Sequence, residues 1–308
     1  MTARNILVGL GAGLAAALLF AGLVTGTTLA LPLFLLSPLP IAIAGLGFGT
    51  LAGAIGAGFA AALIGAVLAP QSGIFHLLAF GAPVAWAAHL IGLSRQTAAA
   101  SEEREWFPLD RVLFRLTIAA AVAVILVGMM FGYDPKSWTD MVLTGAEAMF
   151  AGAGSDAPSR ADLEPIVSMS VSLMPITSTV LVLTVIVFNS WLGARIARMS
   201  GQLQRPWTPV WTVSLPQLGA VVFGLGLLAW FFPGPVGYIG GTFLGASACA
   251  FAMTGFGLLH FALAARPSRG AILFATYLAT VLFALPIAVA AIGGIADTLL
   301  GLRRRRQS

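Results

Sequence analysis

The sequence predicts an all-α fold, a polytopic transmembrane helix bundle with eight or nine membrane segments. Three observations predict it. Of 308 residues, 59% are hydrophobic and only 9% charged, against roughly 45–50% and about 25% in soluble domains, so too few polar side chains exist to coat a soluble globule. The hydrophobic share is about 182 residues, which fills roughly nine spans at about 20 residues each. The apolar residues also come in long runs, with the polar ones gathered between them. A single integral membrane domain over 1–308 follows, and soluble enzymes, disulfide scaffolds and disordered chains are excluded.

In chain order, Ile6 to Val24 is the first span. It reads as an uncleaved helix and not as a signal peptide, because a second apolar region follows at once and no A-x-A site stands out. Leu29 to Leu68 is about 40 apolar residues, about 60 Å as one helix, so it must fold into two spans. These are Leu33 to Leu46, entered through Pro32, Pro38 and Pro40, and Leu51 to Leu68. Ile74 to Leu93 is the fourth span and Ser94 to Asp110 a soluble loop. Val112 to Phe131 is the fifth. The longest polar segment, 132–165, is acidic; within it Ser137 to Asp140 resembles a capping box, and Trp138, Met141, Val142, Met149 and Phe150 share a face of a short amphipathic helix. Ile166 to Leu192 is a sixth span interrupted at Pro175. Leu215 to Phe232 and Tyr238 to Ala264 are the seventh and eighth. Ala271 to Leu302 either spans once or folds back, with natural breaks at Pro286 and Gly293-Gly294.

Charge sets the orientation. A net +5 and a pI near 10.3 read as topology and not as nucleic-acid binding, since arginine excess marks cytoplasmic loops. The acid-free stretch with Arg195, Arg198 and Arg205 is cytoplasmic, which places the N-terminus and the Ser94 loop inside and 132–165 outside. The run Arg303 to Arg306 favours a cytoplasmic C-terminus. Arg195 and Arg198 share a helical face and read as a cytoplasmic anchor, with anionic headgroups or a partner's acids as the sharper reading.

Small residues recur every four positions: Gly9, Gly13, Ala17 and Ala21; Gly45, Gly49, Gly53, Ala57, Ala61 and Gly65; Gly237, Gly241, Gly245 and Cys249. Such ridges let helices approach closely in lipid. They serve packing within the chain or, most plausibly for the first set, docking on a membrane partner subunit. Ionisable groups are missing from the middle of the first eight spans, and Asp297 lies near the end of the last. Neither a nucleophile and base pair nor a His/Glu zinc set can be assembled, and His76, His89 and His260 are isolated. The expectation is a non-enzyme with no catalytic residue, no metal and no cofactor. Hydroxyl groups gather around Pro175, where a proline frees carbonyls for a ligand or a neighbour. A solute site is expected there first, with Pro175, Thr177, Ser178 and Asn189.

Several short motifs carry a resemblance: Met174-Pro175, Asn189-Ser190-Trp191-Leu192, Ala194 to Arg198, Ser214-Leu215-Pro216, Ser37 to Ile41, Gly257 to His260 and Gly294 to Asp297. Together they resemble the YybS-like family of bacterial multi-pass membrane proteins. The resemblance implies the bacterial inner membrane and a helical core similar to the substrate-capturing subunits of energy-coupling-factor transporters, which bind a small molecule and dock on a membrane partner through small residues of the first helix. The functional expectation is therefore a small-solute-binding or transport component of the lipid bilayer. The alternative is a structural or assembly protein of the cell envelope.

Overall fold

The structure, a computed structural model, describes residues 3–96, 104–150 and 158–305, with the side chains of 25, 304 and 305 excepted. Helix α1 spans Ala3–Ala21 and ends in a 3-10 turn at Gly22–Thr25. The next crossing is built from α2 (Ala30–Leu35) and α3 (Leu39–Phe48), and is followed by α4 (Thr50–Val67). A fourth crossing joins α5 (Pro70–His76), a π-helical turn at Leu77–Gly81 and α6 (Ala82–Gly92). Strands β1 (Ser94–Gln96) and β2 (Arg104–Trp106) pair antiparallel, with Arg95 opposite Glu105 and ion-paired to it at 2.7 Å. This hairpin was invisible in a segment too polar and short for a periodic signal.

The second half comprises α7 (Leu109–Met130), α8 (Pro135–Phe150), α9 (Arg160–Met199), α10 (Gln217–Trp230), α11 (Pro235–Ala262), α12 (Arg269–Leu282), α13 (Leu285–Leu300) and the short α14 (Leu302–Arg305). Among the described residues, seven helical segments are long and apolar enough to cross a membrane, and an eighth if α12 and α13 count as one. Those two are bent by 118° at their junction, so 271–302 is not a straight ninth span. The bend falls at Phe283–Ala284, just before Pro286, whose missing N–H suits the first turn of α13. Helix α10 has 14 residues, about 21 Å, and is shorter than the seventh span expected from Leu215 to Phe232.

Two expectations about helix breaks and starts need correction. Pro175 does not interrupt the sixth crossing: α9 runs unbroken for 40 residues with Pro165 and Pro175 inside it. The capping box at Ser137 to Asp140 does not form. Helix α8 starts earlier at Pro135, where Asp134 accepts hydrogen bonds from the Ser137 N–H (2.8 Å) and hydroxyl (2.7 Å), and these hold its carboxyl below the usual range. A true capping box opens α9 instead, between Ser159 and Asp162. The amphipathic α8 is as expected, with Met141, Val142, Met149 and Phe150 exposed and Leu143 buried.

The first and third small-residue ridges are packed inside the chain, whereas the second is not one ridge, since α3 and α4 part at the exposed Gly49 (φ +96°) and its two halves face each other. A Cβ on Gly9 would lie 2.8 Å from the Ala52 carbonyl oxygen, and one on Gly13 would lie 2.7 Å from that of Gly56, so α1 lies with backbone almost touching α4. Ala17 is buried with them and Ala21 half-buried. The face of α1 turned outward carries Leu7, Leu14 and Leu18. The second run sets Gly45 against Ala88 and Gly53 against Gly45. The third sets Gly241 against Pro175 and Gly245 against the Ile176 backbone, and so seats α11 on α9. Helix α11 is the axis of the second half, touching α7, α9, α10 and α13. Gly255 meets Ala290 and Gly294 meets Phe251, so α13 runs antiparallel to α11.

The bundle has a basic and an acidic end. At the first, Arg4 lies over Phe48, Arg115 over Phe107, Arg198 over Trp207 and Arg269 over Trp211, at 4.7 to 5.7 Å from the ring centres. These contacts put the N-terminal helix start, the β-hairpin, the 200–216 segment and the loop before α12 on one side. At the other, the Tyr133 and Tyr238 rings pack tilted with centres 4.6 Å apart, and Arg160 bridges Asp140 and Glu147.

Two glycines of one helix give a test. Gly13→Leu should destabilise the purified protein by about 1–3 kcal/mol through overpacking, while Gly11→Leu, whose Cβ meets nothing within 4 Å, should leave Tm unchanged. Thermal unfolding in detergent checks both.

Candidate functional site

The residues expected to form a solute site do not converge. Pro175 is buried against Gly241, and its missing N–H frees the carbonyl of Val171 one turn earlier. The Tyr133 hydroxyl donates to that carbonyl at 2.7 Å. Burial first, then the Asp134 carboxylate, pushes the Tyr133 hydroxyl above its ordinary value, so it keeps the proton it donates. This contact explains why α9 survives its proline. Thr177 is exposed and bonds back to Leu173 and Met174; Ser178 is half-buried. Asn189 lies 14 residues beyond Pro175, about 21 Å along the helix axis.

Asn189 performs a similar repair. The α2–α3 junction contains Pro38 and Pro40, and the Leu35 carbonyl there accepts from Asn189 Nδ2 at 2.9 Å. The same nitrogen also donates to Val185. Asn189 Oδ1, Ser37 Oγ and Ser190 Oγ are buried with no protein partner. His76 is fully buried as well, with both ring nitrogens unpartnered. It sits beside Phe20 and Phe80, with Phe75 and Phe34 packed on those rings, at the entrance to the π-helical turn. A lone histidine in sequence gave no sign of this aromatic surround.

A solvent-accessible hollow lies elsewhere. A pocket of about 330 Å³ at the basic end is lined by Asp110 of α7, the 212–217 segment, Phe261 of α11, and Thr298 and Arg303 from the chain's last helices. Ser214, Gln217 and Asp110 supply polar side chains to it, one Asp110 oxygen already accepting from the Arg111 N–H at 2.8 Å. Behind this wall Arg303, only 7% exposed, donates to the carbonyls of Val213 and Thr254. Its Nε lies 3.2 Å from Asp297 Oδ2, and its backbone N–H donates to Asp297 Oδ1 at 3.0 Å. Burial lowers the Arg303 guanidinium from its ordinary value, and the Asp297 carboxylate opposes that. The Thr298 hydroxyl adds a bond to the Leu215 carbonyl. The lone acid of the last helix and the first arginine of the tail are therefore partners, six residues apart across the left-handed Gly301.

A second hollow of about 160 Å³ lies between α3, α4, α6 and the 203–205 segment. There Arg205 donates to the carbonyls of Phe107 (2.7 Å) and Ile91 (3.3 Å), with half-burial pulling it below its ordinary value. Arg198 rests on Trp207, and Arg195 is exposed. Among the described residues no three of His, Cys, Asp and Glu come together as a metal set. The chain matches no protein-family model, no curated protein and no solved structure.

The proline repair is open to a double-mutant cycle. Tyr133→Phe should cost about 1–3 kcal/mol by leaving the Val171 carbonyl unpaired. In a Pro175→Ala background, where residue 175 regains its N–H, the same change should cost much less. Equal costs in both backgrounds would show that Tyr133 acts otherwise.

Proposed function

We propose that this multi-pass membrane protein is a small-solute-binding or transport component, and that the solute occupies the pocket at its basic end. The observation that carries the reading is a hollow of about 330 Å³, within the range of small-molecule sites, opening between four elements of the bundle. Its wall offers a carboxylate, an amide and hydroxyls beside Leu215, Pro216 and Phe261, which suits a solute with both polar and apolar parts. The Pro175 region supports such a site less well, because its freed carbonyl is already taken by Tyr133. We read this end, with the N-terminus and Arg303, as the cytoplasmic side, because arginine excess favours that side. The likeness to YybS-like proteins and to energy-coupling-factor subunits supports the same class and the bacterial inner membrane. No residue of the pocket pairs a nucleophile with a base, so we read the protein as a non-enzyme. A partner subunit would meet α1 on its Leu7, Leu14 and Leu18 face, since the glycine ridge is covered by α4.

An envelope assembly role is the second reading, favoured by the exposed apolar residues Met141 and Met149 of α8. A metabolite screen by thermal shift decides between them. A solute at a hundredfold its Kd should stabilise by about 2.7 kcal/mol, a rise of several degrees in Tm. Gln217→Leu should abolish the shift and Thr177→Val should leave it intact. If no small molecule raises Tm, the solute reading fails.

A further inference from the structure

The last helical segments close the pocket wall in an unusual way. Helix α13 ends at Gly301, which has φ +64°, and the chain reverses there into the four-residue α14. Helix α13 itself is seated on α11, where Gly255 meets Ala290 and Gly294 meets Phe251, and its Thr298 hydroxyl donates to the Leu215 carbonyl, so the part without such seating is the segment beyond Gly301. What fixes it is Arg303, tied to Asp297, to Val213 in the segment before α10, and to Thr254 in α11. The other lining residues belong to the body of the bundle, namely Asp110, Thr212, Ser214 to Gln217, Phe261 and, on α13, Thr298. One wall of the pocket therefore depends on a single side chain on a short element beyond a glycine hinge.

The physical character of that tie matters. A buried ion pair offsets a large desolvation cost and gains little over the solvated charges. Short elements with few apolar contacts open locally at far lower free energy than the whole fold. The bundle's other close contacts are backbone against backbone, as at Gly13, Gly245 and Gly255, and offer no comparable release.

We propose that residues 301–305 form a latch on the basic-end pocket: with Arg303 seated against Asp297, Val213 and Thr254 the pocket is closed on that side, and withdrawal of Arg303 about Gly301 opens it. This rests on the solute-site reading for its purpose, but opening is measurable with no solute present. In the full chain reconstituted in nanodiscs, with Cys249→Ala as background, Ser214→Cys places a thiol in the pocket wall and Lys136→Cys a control thiol at the acidic end. Arg303→Gln should raise maleimide labelling of the pocket thiol about tenfold or more. Gly301→Ala, which strains the hinge and leaves every charge in place, should raise it as well, and Arg303→Lys should raise it less than Arg303→Gln. The control thiol should label at its parent rate throughout. An unchanged pocket rate in either Arg303→Gln or Gly301→Ala overturns the latch, and so does a parallel rise at Lys136→Cys, which would mark general loosening. A failed metabolite screen alongside a positive labelling result would remove the solute and leave the latch standing.

Discussion

Backbone hydrogen bonding inside lipid is the constraint on which this structure depends. Unpaired carbonyls are costly where no water can reach them, and this chain disturbs its helical bonding repeatedly, through the missing N–H of Pro175 inside the unbroken α9 and at Pro38, the π-helical turn and the approach to α10. Polar side chains answer several of these disturbances: Tyr133 for Val171, Asn189 for Leu35, Arg205 for Ile91 and Phe107, and Arg303 for Val213 and Thr254. The few polar groups of the membrane interior are thus mostly explained as architecture. His76, Ser37, Ser190 and the Asn189 oxygen stand outside that explanation.

Close approach is the second theme. Lipid gives apolar side chains little reason to prefer each other to acyl chains, so association relies on packing area and backbone proximity. The glycine and alanine ridges supply both, holding α1 on α4 in the first half and α11 on α9 and α13 in the second. A cost follows from the same feature. These seams admit no side chain larger than the one they have, so the bundle is rigid where it is closest and can move only at its margins, on α12 and the segment beyond α13.

Much of the fold was legible in sequence because it is written in composition and run length. Apolar runs of about 20 residues located the crossings, and arginines without acids, as at 195–205, marked one end. What was not legible depended on long-range pairing. Pro175 looked like a break because the phenol that repairs it lies 38 residues upstream of Val171. The cap of α8 was misplaced because Asp134-Pro135 and Ser137 to Asp140 both carry start signals, and the proline won. The pocket was missed since its walls come from four distant stretches, although the isolated Asp297 was a signal that a buried cation had to be found for it.

Helix α10 has an implication for the surrounding lipid. Its outward face, with Leu218, Val221, Leu225 and Leu228 exposed, meets acyl chains over about 21 Å of helix, while hydrocarbon cores are typically about 27–33 Å thick. Where α10 lies in a bilayer, its 14 residues alone fall short of that thickness, so the exposed Phe231 and Phe232 beyond its end or a thinner leaflet make up the rest, whereas the long α9 needs neither. The protein therefore carries an asymmetric hydrophobic belt. Such a belt bends the leaflet locally and favours shorter or more disordered acyl chains on one flank, so membrane thickness itself becomes a variable in where this chain resides and which neighbours it meets.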